Sequence, residues 1–146
     1  MRTELVEKVR NKIKKRLKLS QKRLVNSFKF AFEGIKKAYE GEQNLKIHTV
    51  FAILVIVCGF IFKITYIEWL VCLILIGLVI MAEFFNTSIE YVVDLASPHI
   101  HPLAKAAKDT AAAGVLVMAI IAAIVGLIIF VPKILIVLGV YLWLKS

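Results

Sequence analysis

Charge is what this 146-residue chain lacks over much of its length. Thr49 to Phe62, Trp69 to Ala82 and Ala111 to Val131 hold no charged side chain, and Thr49 is their only strongly polar residue. With 60% apolar residues and a mean hydropathy of +0.84, a soluble globular protein is excluded. Cysteine is scarce as well. Cys58 and Cys72 both lie inside apolar runs, so they read as small packing residues rather than as a disulfide or a metal pair. Of the three histidines, His99 and His101 fall in a proline-containing loop, and no Cys/His spacing suits zinc. No Gly-x-x-x-x-Gly-Lys-Ser/Thr segment occurs, which excludes a P-loop nucleotide site. The basic N-terminal region is long and no apolar core with a small-residue cleavage site follows it early, so no signal peptide is expected.

The charge that is present is unevenly placed. Residues 1–48 carry fourteen Lys/Arg against five Asp/Glu, and residues 49–146 carry five of each, so the whole net charge of +9 precedes the first apolar run. A basic excess can serve nucleic acid, but one that flanks a membrane entry is explained by the positive-inside rule. No nucleic-acid partner is expected, and the N-terminus is expected in the cytoplasm of a multi-pass membrane protein.

Met1 to Leu19 is dense in Lys and Arg, with Leu5, Val9, Ile13 and Leu17 spaced by four. That pattern predicts a basic amphipathic helix suited to an anionic lipid surface. Ser20 is placed to cap a second helix, in which Leu24, Phe28, Phe32, Ile35 and Tyr39 share a face. The polar run from Glu40 to Asn44 breaks the chain at Gly41. Three membrane helices are then expected at about 47–66, 68–95 and 108–131, with a turn at Thr65 to Glu68 and a loop around Pro98 and Pro102. Pro132 and Lys133 are read as the stop of the third helix, and Ile134 to Leu144 as a short interfacial or bundle-packed segment. The expected fold is thus all-α and integral to the membrane, three transmembrane helices preceded by one or two amphipathic surface helices. Its parts are a basic arm (1–19), a membrane domain (20–131) and an apolar tail (132–146).

The chain is organised around Glu83 to Asp94, which follows the second apolar run without a break. At about 100° per residue, Glu83, Asn86, Glu90 and Asp94 fall within roughly 80° of one another on one helix face, a polar stripe about 16 Å long. Carboxylates at membrane depth are expensive and face a bundle interior or a wet cavity. Three crossings from a cytoplasmic N-terminus bring this stripe, Glu42 and the pair Lys108-Asp109 to one level near the inner headgroups. Clustered carboxylates, a carboxamide and an ammonium group suit a magnesium–phosphate site, with a further carboxylate to accept a proton. Two classes stay open on these grounds: a membrane enzyme acting on lipid, and an ion-conducting protein. The apolar interiors favour chemistry at the surface.

The run Glu83-Phe-Phe-Asn86-Thr87-Ser88-Ile-Glu90-Tyr-Val-Val-Asp94 resembles the signature of the small bacterial diacylglycerol kinase and undecaprenol kinase family, as do Gly34-Ile-Lys before Glu42 and the Ala-Lys108-Asp109 opening of the third helix. The likeness covers about residues 22–131. It implies a homotrimer with shared active sites that uses MgATP to phosphorylate a membrane lipid alcohol. By that resemblance Glu42 and Glu90 are the Mg²⁺ ligands and Glu83 the general base. Arg23, Asn86, Asp94, Lys108 and Asp109, with Glu42 and Glu90, form the nucleotide site. Phe30, Phe32 and Glu33 depart from the diacylglycerol kinase pattern, and His48 stands where that pattern has a carboxylate. His48 and the run from His101 to Asp109 look closer to the undecaprenol kinase branch. This makes undecaprenol the expected acceptor and diacylglycerol the alternative, with His48 and Glu83 at the lipid, and the resemblance implies a multi-pass protein of the bacterial plasma membrane.

Overall fold

The computed structural model describes residues 2–139 and contains four helices: α1 (Arg2–Gly41), α2 (Gln43–Ile61), α3 (Tyr66–Ala96) and α4 (Pro102–Val137). No strand occurs among the described residues. The chain forms two units that divide between Gly41 and Glu42. α1 makes up the first. α2, α3 and α4 make up the second, and each is long and apolar enough to cross a membrane.

α1 runs through Ser20 without a break, where the serine had suggested the start of a second helix. The reason is local. A serine inside a helix loses only a few tenths of a kcal/mol, and its neighbours Lys18, Leu19, Gln21, Lys22 and Arg23 are strong helix formers, so continuing outweighs stopping to gain one cap. Phe28, Phe32 and Leu24 are exposed along this helix.

The membrane unit is an antiparallel series. α2, with 19 residues, is about 29 Å long, close to the hydrocarbon thickness of a bilayer. α3 has 31 residues and α4 has 36, so both extend well beyond it. α2 ends at Ile61, and Lys63 takes a left-handed conformation (φ 48°) to turn the chain. The turn therefore lies at 62–65, and Tyr66 to Glu68, read from sequence as the turn, open α3. Thr65 and Glu68 form a capping box: the Glu68 N–H donates to Thr65 Oγ1 (3.3 Å), and the Thr65 N–H donates to Glu68 Oε2 (2.6 Å). Ile64, Cys72 and Ile129 are buried at this end, with Val55, Trp69, Val125 and Phe130 packed against them.

α4 does not stop at Pro132. It continues to Val137 and closes at Gly139, whose positive φ (69°) lets the chain leave the helix. A proline in a helix removes one backbone hydrogen bond, and packing can outweigh that loss. Here Lys133 reaches Glu68 Oε1 at 3.1 Å, tying this stretch of α4 to the first turn of α3. Residues 140–144 of the expected C-terminal segment lie outside the described residues.

Gly59 is needed where α2 meets Trp69. A methyl group there would stand 2.7 Å from the indole, which also packs against the Phe60 ring at 5.0 Å. Gly59→Val is expected to lower the thermal midpoint of the purified protein in detergent, an overpacking cost of about 1–3 kcal/mol. Gly34→Ala, where nothing lies within 4 Å of the added carbon, should leave it unchanged or raise it.

Candidate functional site

The acidic stripe exists because α3 does not end where the apolar run ends. Counted from Tyr66, Glu83 lies about 26 Å along the helix and Asp94 about 42 Å. The first is still within a bilayer's hydrocarbon thickness, and the second is beyond it. Glu83 is 1% exposed, and neither carboxylate oxygen has a hydrogen-bond partner among the described residues. His48 Nε2 on α2 stands 3.2 Å from Glu83 Oε1, too poorly aligned to count as a hydrogen bond. Thr87 is also buried, and its hydroxyl donates to the Glu83 carbonyl (2.9 Å).

One turn farther along, Asn86 is buried. Its Nδ2 donates to Glu90 Oε1 (2.9 Å), which leaves its carbonyl oxygen as an unpaired acceptor. Glu42 occupies the break between α1 and α2. It is the N-cap residue of α2, in extended conformation, yet its carboxylate makes no capping bond and stays available. Burial holds the Glu42 carboxyl above the ordinary range, the Glu90 carboxylate adds to the rise, and Lys108 opposes it. Residues from the start of α2, from α3 and from α4 thus act on one another electrostatically. Lys108 Nζ donates to Asp94 Oδ1 (2.7 Å), which sets α4 against α3 at this level.

The structure brings together Glu42, His48, Glu83, Asn86, Glu90, Asp94 and Lys108. Asp109 is engaged elsewhere: Lys105 Nζ donates to its Oδ2 (2.6 Å) on the exposed side of α4. The i, i+4 spacing of Lys105 and Asp109 is the sequence signal for that pairing. Arg23 belongs to α1, the other unit, where its backbone carbonyl accepts from Ser27 Oγ (2.9 Å). Thr87 went unremarked in the sequence reading beyond its place in the motif. Its burial beside Glu83 follows from an i, i+4 relation on the stripe's helix.

Among the described residues, no three His, Cys, Asp or Glu side chains are grouped closely enough to hold a metal ion by themselves. Mg²⁺ does not require such a cage. It takes one or two carboxylates and completes its shell with water and substrate phosphates. The free Asn86 oxygen and two carboxylates that repel each other are hard oxygen donors of the kind that ion uses. The residues therefore fit it.

The family model described as prokaryotic diacylglycerol kinase matches residues 29–130. An undecaprenol kinase of Bacillus subtilis is 45% identical over 111 residues, covering 76% of this chain and 90% of that protein. A diacylglycerol kinase of Synechocystis is 38% identical over 113 residues, covering 77% of this chain and 65% of its own. A diacylglycerol kinase of Haemophilus influenzae is 31% identical over 102 residues, covering 70% and 86%.

Proposed function

The chain belongs to the prokaryotic diacylglycerol kinase family and is a lipid kinase, and from that premise we propose that it transfers the γ-phosphoryl group of MgATP to undecaprenol. The observation that carries the reading is a buried carboxylate without a hydrogen-bond partner, Glu83, at the membrane end of a stripe whose other end reaches Lys108. Glu83 accepts the proton of the lipid hydroxyl as that oxygen attacks the γ-phosphorus and ADP leaves. Lys108 and Asp94 orient phosphates farther along, and Asp109 adds to the nucleotide site. Glu42, Glu90 and the Asn86 oxygen would hold Mg²⁺, which when bound neutralises charge on the transferring phosphates.

The similarity to an undecaprenol kinase at 45% identity supports undecaprenol over diacylglycerol. The N-terminus is cytoplasmic, as the basic excess of residues 1–48 requires under the positive-inside rule. The basic arm (1–19) lies on anionic lipid, the membrane domain (20–131) carries the chemistry, and the active protein is a homotrimer.

The test is a transfer assay. Purified protein is incubated with labelled ATP, Mg²⁺ and either undecaprenol or diacylglycerol in mixed micelles. Undecaprenol should be labelled with at least about a tenfold higher kcat/KM. A tenfold preference for diacylglycerol would leave the lipid kinase intact and overturn the acceptor. Absence of transfer to any prenol or diglyceride would overturn the kinase reading.

A further inference from the structure

A base that takes a proton in each turnover must lose it before the next. The surroundings of Glu83 make that second step the harder one. Its side chain is 1% exposed, and neither carboxylate oxygen has a hydrogen-bond partner among the described residues. The Thr87 hydroxyl proton is committed to the Glu83 carbonyl, and the Asn86 amide donates to Glu90. Toward the membrane interior, α2, α3 and α4 enclose a cavity of about 290 Å³ whose lining is hydrocarbon except for His48 and Cys72. Cys72 lies about 17 Å from Glu83 along α3, packed in the core at the far end, so no proton leaves that way.

The charged groups that bear on Glu83 are His48 on α2, Glu42 at the α2 N-cap and Glu90 on its own helix. Glu42 and Glu90 are acids and repel its charge. His48 is the only one of the three that can become a cation, and it is the one in contact, with Nε2 3.2 Å from Glu83 Oε1. Helix register places it there. Glu42 acts on Glu90, and His48 meets Glu83, six residues farther along α2 and seven residues back along the antiparallel α3. The two pairs are therefore about 9–10 Å apart, and an ion held by Glu42 and Glu90 is out of reach of the imidazole. The ring is 23% exposed and lies five residues, about 8 Å, inside the start of α2. It stands between a sealed carboxyl group and the polar break from Glu40 to Asn44.

We propose that His48 is the proton relay that resets Glu83 between turnovers. The inference rests on the reading of Glu83 as the base of a lipid kinase. After phosphoryl transfer the Glu83 O–H bond breaks and the His48 Nε2–H bond forms. A neutral acid and a neutral imidazole thereby become a carboxylate and an imidazolium. The imidazolium then releases a proton to water at its exposed edge, and the site returns to its starting charge. An imidazole suits both steps because it gains and loses a proton near neutral pH. The poor alignment of the contact is no obstacle, since such contacts tighten when substrate is bound.

Measurements on the full chain test this. His48→Gln keeps a polar side chain of similar length that cannot take a proton, so turnover should fall about 10²-fold with KM for ATP unchanged. Turnover within about threefold of the wild type would refute the relay. His48→Ala separates proton transfer from packing. Imidazole added to the assay should restore its turnover in proportion to concentration, whereas pyrazole, equal in size but a far weaker base, should not. Restoration by both alike would show that the ring only fills space and would overturn the proposal, as would restoration by neither. Nitrogen NMR of protein labelled at its three histidines gives a readout without turnover, with His48→Gln assigning the His48 signals. Those signals should move in Glu83→Gln while those of His99 and His101 stay. Unmoved signals would refute the relay even where His48→Ala does not fold. Movement in a protein that transfers no phosphate would defeat only the kinase reading. Phosphate transfer that His48→Gln leaves unchanged would defeat only the relay.

Discussion

Glu83→Gln should cut turnover by about 10²–10⁴-fold, the usual contribution of a positioned base, while leaving the protein folded and able to bind ATP. The substitution is nearly isosteric, so the packing around a side chain 1% exposed is kept. What is lost is the ability to take a proton. The fold gains if anything, because an ionisable carboxylate with no hydrogen-bond partner is costly to bury, whereas an amide carries no charge. Stability and activity should therefore move independently, with the thermal midpoint equal or higher and the phosphoryl transfer rate far lower. If Glu83 served only to hold α3 against α2 through His48, the pattern would invert. The midpoint would fall, and whatever protein remained folded would turn over at close to the wild-type rate. Measuring both quantities and ATP affinity on one preparation separates the two roles.

Glu42→Gln and Glu90→Gln should each weaken divalent cation binding by at least about tenfold, since even outer partners of a metal site are worth 10–100-fold. The effect is best read as Mn²⁺ binding by electron paramagnetic resonance in the presence of a non-hydrolysable ATP analogue, which needs no turnover. The Mg²⁺ concentration for half-maximal activity should rise in parallel. Neither change should unfold the protein. Each carboxylate faces the other's charge, and removing one relieves that repulsion. Glu90→Gln still offers an oxygen to the Asn86 amide, so the i, i+4 bond on α3 survives. Wild-type cation affinity in both variants would show that the ion is held elsewhere.

Asp94 and Glu83 mark how far the sequence could be read. A period of 3.6 places both on one face of one helix, and no tertiary information is needed for that. The same holds for three membrane-length helices, because hydrocarbon-length apolar runs have no other stable disposition in lipid. Boundaries were harder. Ser20 and Pro132 looked like punctuation, and the helices run through both, since a serine's propensity cost is small and packing outweighs the larger cost of a proline. Asp109, which its motif places in the nucleotide site, pairs with Lys105 one turn back on its own helix, a contact that the i, i+4 spacing makes legible in the sequence.

By itself the sequence determined the membrane class, the number of helices long and apolar enough to cross and the composition of the polar stripe, because each depends on periodicity and charge along a single segment. Tertiary structure decided which carboxylate is buried without a hydrogen-bond partner, that His48 comes from 35 positions upstream to meet it, that Lys108 meets Asp94, and that a hydrocarbon-lined cavity lies among α2, α3 and α4. Those facts depend on the register between antiparallel helices. A slip of one residue, about 1.5 Å and 100°, leaves every segment's pattern intact and carries His48 away from Glu83.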